Sequence, residues 1–250
     1  MFENKDALIA EIRASSLKYV MDVGTNLETS LAAVRMAEAN DFCYAVVGFH
    51  PESAHELDDN ALAEIEALTK HPKVKAIGEI GLDFHYEDGD SPEVQESCFV
   101  RQIELAKTLH MPMVIHTRDA DDLTLRILKE HKAFETKVLL HCFSGSAELA
   151  RQYVKLGAMI SLAGPLTYKN ARKTVEVAQT IPLEFLMVET DCPYLTPVPL
   201  RGQQNKPMYV EYTARKLAEI KGLSYEEVAE ATLQNAVRFF HIECEKSCHD

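Results

Sequence analysis

The sequence has no uninterrupted apolar run of the roughly 18 residues needed to cross a bilayer. Its opening residues, MFENKDALIAEIR, carry charge where a secretory signal would be apolar, so the expected location is the cytoplasm, with no membrane partner. Cysteine is also sparse: six residues, at 43, 98, 142, 192, 244 and 248, lack the density and spacing of a disulfide framework, and reduced thiols are expected. Cys244, Cys248 and His249 lie close together but match no common zinc spacing, so residues 242–250 read as a disordered tail. Positive charge is short as well. With 26 Lys and Arg against 39 Asp and Glu the net charge is −13, which opposes a broad phosphate-binding surface and a high-affinity, sequence-reading nucleic-acid protein. A small site for one phosphate remains open where metal ions supply the positive charge.

What is present is a repeated rhythm. Seven short, nearly continuous apolar runs alternate with amphipathic stretches: KYVMDVG from Lys18, CYAVVGF from Cys43, VKAIGEIG from Val74, PMVIHT from Pro112, KVLLHC from Lys137, GAMISL from Gly157 and EFLMVET from Glu184. Runs of this kind are strands covered on both faces, and their alternation with helices predicts repeated βα units around a parallel sheet. Helices are expected from Glu28 to Ala39, Asn60 to Thr69, Pro92 to Leu109, Asp122 to His131, Ser146 to Leu156, Ala171 to Thr180, Met208 to Lys221 and Ser224 to Phe240. The last opens with Ser224 and Glu227 at capping-box spacing. At 250 residues the chain has the size of one (β/α) barrel, read as a single domain over residues 1–241. Eight strands close such a barrel and seven are found, so the expected fold is an α/β, TIM-type barrel lacking its first strand. An open, doubly wound sheet is the alternative.

Ionisable residues inside apolar strands are costly unless paired, hydrogen-bonded or bound to metal. Four stand at the ends of these runs: Glu79, His116, His141 and Asp191. Their separations of 37, 25 and 50 residues correspond to one, one and two βα units, which places all four at the C-terminal face where barrel active sites are built. Imidazoles mixed with carboxylates suit zinc, manganese or iron. The four are therefore predicted to converge as ligands for a divalent metal.

The motifs around them, VGFHPE at His50, AIGEIGLDFHY at Glu79, PMVIHTRDA at His116, LLHCFSGS at His141 and VETDCPYLTP at Asp191, resemble those of the TatD family of metal-dependent deoxyribonucleases. So does LRGQQNKP, followed by the helix ending in LQNAVRFF, and the resemblance runs from about Val20 to Phe240. It implies an amidohydrolase-like barrel in which residues matching Glu79, His116, His141 and Asp191 hold two divalent ions (Mg, Mn or Zn), with the glutamate bridging. It also implies a His-x-His pair on the first strand, and this sequence has none: His50 and His55 are five apart on a later loop. The expectation is a chain start displaced past about ten residues, or a variant with a reduced, one-ion site.

The implied activity is hydrolysis of DNA phosphodiesters, at strand ends or unpaired segments, with Asp191 as catalytic proton acceptor and His50, Arg118 and Lys206 as substrate contacts. No obligate protein partner is expected. Hydrolysis of another ester or amide, and a noncatalytic barrel with a depleted metal site, are the alternatives.

Overall fold

The computed structural model describes residues 4–86 and 88–243. Its seven strands are β1 (Val20–Val23), β2 (Cys43–Val47), β3 (Val74–Asp83), β4 (Met113–Arg118), β5 (Val138–Leu140), β6 (Met159–Leu162) and β7 (Leu186–Val188). They run parallel in the order β1-β2-β3-β4-β5-β6-β7, each pairing with the next in sequence. A doubly wound sheet would reverse direction at a switch point. None exists here, so the sheet curls as an incomplete barrel whose free edges are β1 and β7.

Nine α-helices connect and cover the strands among the described residues: α1 (Lys5–Ala14), α2 (Leu27–Ala39), α3 (Asp59–Leu68), α4 (Pro92–Thr108), α5 (Asp121–Glu130), α6 (Ala147–Lys155), α7 (Arg172–Thr180), α8 (Val210–Lys221) and α9 (Tyr225–Phe240). Local chemistry fixes their ends. The Asn26 side chain caps α2 in a capping box with Thr29, Ser146 caps α6, and the Ser224–Glu227 box opens α9 as expected. None of these helices is long and apolar enough to cross a membrane.

Strand residues alternate between two cores. Outward-facing Ala45, Val47, Ile77, Ile80, Leu82, Met113, Ile115 and Leu140 pack against the helices. Inward-facing Val46, Ala76, Val114, Leu139 and Met187 form a smaller core inside the curl, capped by Phe239, Phe240 and Ile242 at the end of α9. Lys137 anchors that cap by donating from Nζ to the carbonyls of Arg238 and Phe239. The expected tail is thereby corrected at its first residue: Ile242 is 5% exposed, and its N–H bonds the Val237 carbonyl. Cys244, Cys248 and His249 lie outside the described residues.

Candidate metal centre

Strand parity delivers most of the site. On β4, Val114 faces inward, and so does His116 two residues on. The same step carries β5 from Leu139 to His141 and β7 from Met187 to Glu189 and Asp191. Glu79 breaks the rule, because plain alternation on β3 would send it outward with Ile77. The β3–β4 register resolves the conflict: Ile77 pairs with Met113 and Ile80 with Ile115, so β3 carries one extra residue between them. This bulge reverses the parity, leaves Ile80 and Leu82 in the outer core, and turns Glu79 and Asp83 inward. Glu79 and His116 consequently lie within their strands, not at the ends as expected, since β3–β4 pairing continues to Asp83 and Arg118.

Gly81 permits the close approach at this point. Its φ is +148°, and a Cβ there would lie 1.9 Å from the His116 carbonyl oxygen. Two glutamines seven residues apart on α4 hold adjoining backbone. Gln95 accepts from the Asp83 N–H and donates to its carbonyl, both at 2.9 Å, and Gln102 does the same for Phe49 at 2.8 and 3.0 Å. The loop carrying Asp191 is pinned by buried Asn205, whose amide donates to the carbonyls of Thr190 and Tyr194. Cys142 and Asp191 both occupy the left-handed region, at φ 43° and 56°, a strained conformation concentrated at functional sites.

Around Glu79 the imidazoles converge. Its Oε1 is 2.8 Å from His116 Nδ1, 3.4 Å from His141 Nε2 and 3.8 Å from His50 Nε2. The ligand atoms of Glu79, His116 and His141 lie within 4.8 Å of one another, and those of His50, Asp83 and His116 form a second such group. Asp191 stands beside the first group, its Oδ1 3.7 Å from His141 Nε2. Both imidazoles of the first group have the far nitrogen on another carboxylate: His116 Nε2 is 2.9 Å from Asp83 Oδ2, and His141 Nδ1 is 2.6 Å from Glu189 Oε2.

The charges reinforce one another. Burial opposes ionisation of Glu79, but the imidazoles of His141 and His116 outweigh it and hold the carboxyl far below its usual range. His116 is likewise desolvated, yet its bonds to Asp83 and Glu79 raise its pKa to about 9. His141 is raised further by Glu189 and Glu79 against its burial, whereas burial pushes His50 down to about 4. Burial raises Asp191. A buried carboxylate flanked by the imidazoles of His116 and His141, each with its far nitrogen on a second carboxylate, fits a divalent cation of the zinc or manganese kind.

The expected substrate contacts fall in different places. His50 packs edge-on against His116, with ring centroids 4.5 Å apart, and its Nδ1 caps the following turn by accepting from the Glu52 N–H. Arg118 lies over the Tyr86 ring at 5.2 Å and donates to its hydroxyl. The Lys206 ammonium, expected to meet substrate, is occupied by Glu11 of α1 at 2.5 Å. Asp83 and Glu189 escaped the sequence reading. Glu189 carried a usable signal, two residues beyond inward Met187, but Asp83 depended on the bulge.

Fold and centre together define a metal-dependent hydrolase of the β/α-barrel kind. A family model described as TatD related DNase matches residues 1–241. The chain is 43% identical over 237 residues to an uncharacterised metal-dependent hydrolase of Bacillus subtilis, YabD, covering 95% of this chain and 92% of that one. It is 41% identical over 238 residues to TatD of Mycobacterium tuberculosis, also named an uncharacterised metal-dependent hydrolase, covering 94% and 90%. The crystal structure of the TatD homolog YjjV from Escherichia coli superposes with a TM-score of 0.88 at 30% identity, covering 96% of this chain and 92% of that chain. The chain belongs to the TatD family.

Proposed function

We propose that this hydrolase cleaves DNA phosphodiesters, acting on strand ends or unpaired segments that reach the mouth of the barrel. The observation that carries the reading is the Glu79–His116–His141 group, donors enough to hold a divalent ion (Mg, Mn or Zn) within a curl whose rim carries exposed rings and guanidinium groups. Tyr86 and Tyr194 are 51% and 67% exposed on the loops after β3 and β7. Arg118 and Arg201 lie over Tyr86 and Tyr168 at 5.2 and 4.2 Å. Tyrosine faces with adjacent guanidinium groups suit unstacked bases and their phosphates, whereas a net charge of −13 disfavours wrapping a duplex. A cytoplasmic setting belongs to the same reading, in keeping with the unpaired thiols of Cys43, Cys98, Cys142 and Cys192.

A divalent cation bound there supplies a water of lowered pKa and polarises a phosphate oxygen. Asp191, whose carboxyl is raised by burial, accepts the proton of the attacking water. Glu79 and the two imidazoles hold the ion, and Arg118 turns toward the phosphate. The test compares release of nucleotides from an end-labelled single-stranded oligonucleotide, with magnesium, manganese or zinc, by the native chain and by Glu79→Ala. The native chain is expected to be at least about 100-fold faster, and chelation should abolish the difference. Equal release by both proteins overturns the reading, and turnover of model esters or amides alone would redirect it to another bond.

A further inference from the structure

We propose that Glu189 is a positioning residue for the metal centre: it fixes the ring and tautomer of His141 so that Nε2 is the nitrogen offered to a divalent cation. The inference rests on the metal reading of the centre and is independent of which substrate is cleaved.

Glu189 is held on every side. Its Oε2 lies 2.6 Å from His141 Nδ1. Its Oε1 accepts from the backbone N–H of Cys142 at 2.6 Å and from the hydroxyl of Ser161 on β6. With two donors on Oε1, the carboxylate cannot swing away, and having only acceptors it obliges Nδ1 of His141 to be the protonated nitrogen. In the neutral ring the lone pair then falls on Nε2, which is directed at Glu79 Oε1 (3.4 Å) and Asp191 Oδ1 (3.7 Å). The sharp turn at Cys142, φ 43°, is part of the device, because it places the residue after His141 where its N–H meets Glu189. Three consecutive strands thus contribute to the aim of one ligand: His141 from the end of β5, Ser161 from β6 and Glu189 from the end of β7.

Replacing the carboxylate by an amide turns this arrangement against the metal. In Glu189→Gln the carbonyl oxygen still accepts from Cys142 and Ser161, but the amide NH2 faces Nδ1 and donates to it, which moves the ring proton to Nε2 and removes the lone pair a cation needs. Affinities for manganese and zinc, measured by competition with a chromophoric chelator, should fall about 10- to 100-fold, and the visible spectrum of the cobalt-loaded protein should change. The melting temperature of the metal-free protein should stay within about 3 °C. Glu189→Asp, which keeps the acceptor, should recover part of the affinity. Ser161→Ala, which frees one side of the carboxylate, should lose only a few-fold.

Unchanged metal affinity and an unchanged cobalt spectrum in Glu189→Gln would overturn the proposal. So would a metal-free melting temperature that falls while affinity holds, since that marks a purely structural role. Should Glu189→Gln not fold, Ser161→Ala and Glu189→Asp decide the matter by the same two readouts, and native affinity in both overturns it. A native chain that binds no metal would overturn the metal reading itself, an outcome distinct from native binding matched by the variants.

Discussion

The middle of the sheet and its edges are built differently. Strand β3 spans ten residues, is paired on both sides and is buried along most of its length, and β4 and β5 continue that density. Strand β1 has four residues, none of them buried, and in β7 the last of three residues is only partly buried. The candidate ligands follow this division. Glu79, His116 and His141 come from the middle strands with side chains 12–18% exposed, whereas Asp191 hangs from the loop beyond edge strand β7 at 34%. The middle carries the candidate ion-holding group, and the edge places a carboxylate beside it. On the proposed function, capturing a cation and activating water would be separable tasks, placed in regions of different burial.

Substitutions should expose that separation. The largest effect belongs to the middle: Glu79→Gln should lower metal affinity by more than about 100-fold, beyond the loss expected for an outer partner of a ligand, as measured by chelator competition. If metal is retained, the middle is not the ion-holding region. Asp191→Ala should slow nucleotide release about 100-fold or more at saturating metal while metal affinity drops less than about tenfold. Equal losses in both quantities would erase the distinction. Gly81→Ala, at φ +148° against the His116 carbonyl, should cost about 2–4 kcal/mol in the denaturant unfolding of the metal-free protein. Val114→Ala in the inner core should cost about 2 kcal/mol and Val20→Ala on edge strand β1 less than about 1 kcal/mol. Comparable costs for those two would show the edge to be as well packed as the middle.

Acidity gives the gentlest test. The pKa of His116 is raised in the folded, metal-free protein from 6.5 to about 9, against its burial, by Asp83 and Glu79. The stabilisation linked to this proton is fully present below about pH 6.5 and is lost as pH rises through about 9. Metal must displace the same proton, so affinity should increase with pH across that window with release of protons, measurable by calorimetry in buffers of different ionisation enthalpy. A flat affinity from pH 6.5 to 9 would contradict the role of His116.

The barrel rhythm and the candidate ligands His116, His141 and Asp191 were legible because ionisable residues end continuous apolar runs, and the structure sets them two or four residues beyond inward Val114, Leu139 and Met187. Glu79 was legible only as an ionisable residue in an apolar run. Its inward orientation comes from a bulge, a one-residue mismatch between β3 and β4 that neither strand encodes alone. Gln95 and Gln102 were invisible for a similar reason. Polar residues on an amphipathic helix ordinarily face solvent, and their burial against Asp83 and Phe49 is decided by where α4 docks. The Lys206–Glu11 pair joins residues 195 apart, beyond the reach of any local pattern.

The C-terminal end of α9 has a consequence for biosynthesis. Phe239, Phe240 and Ile242 complete the inner core whose other walls come from β1 to β7. A nascent chain can form its βα units and outer packing before α9 is made, but the inner core lacks its cap until Phe239, Phe240 and Ile242 dock. Consolidation of the inner core therefore waits on α9, and chaperones that shield apolar surface would have their main opportunity in the interval before that helix docks.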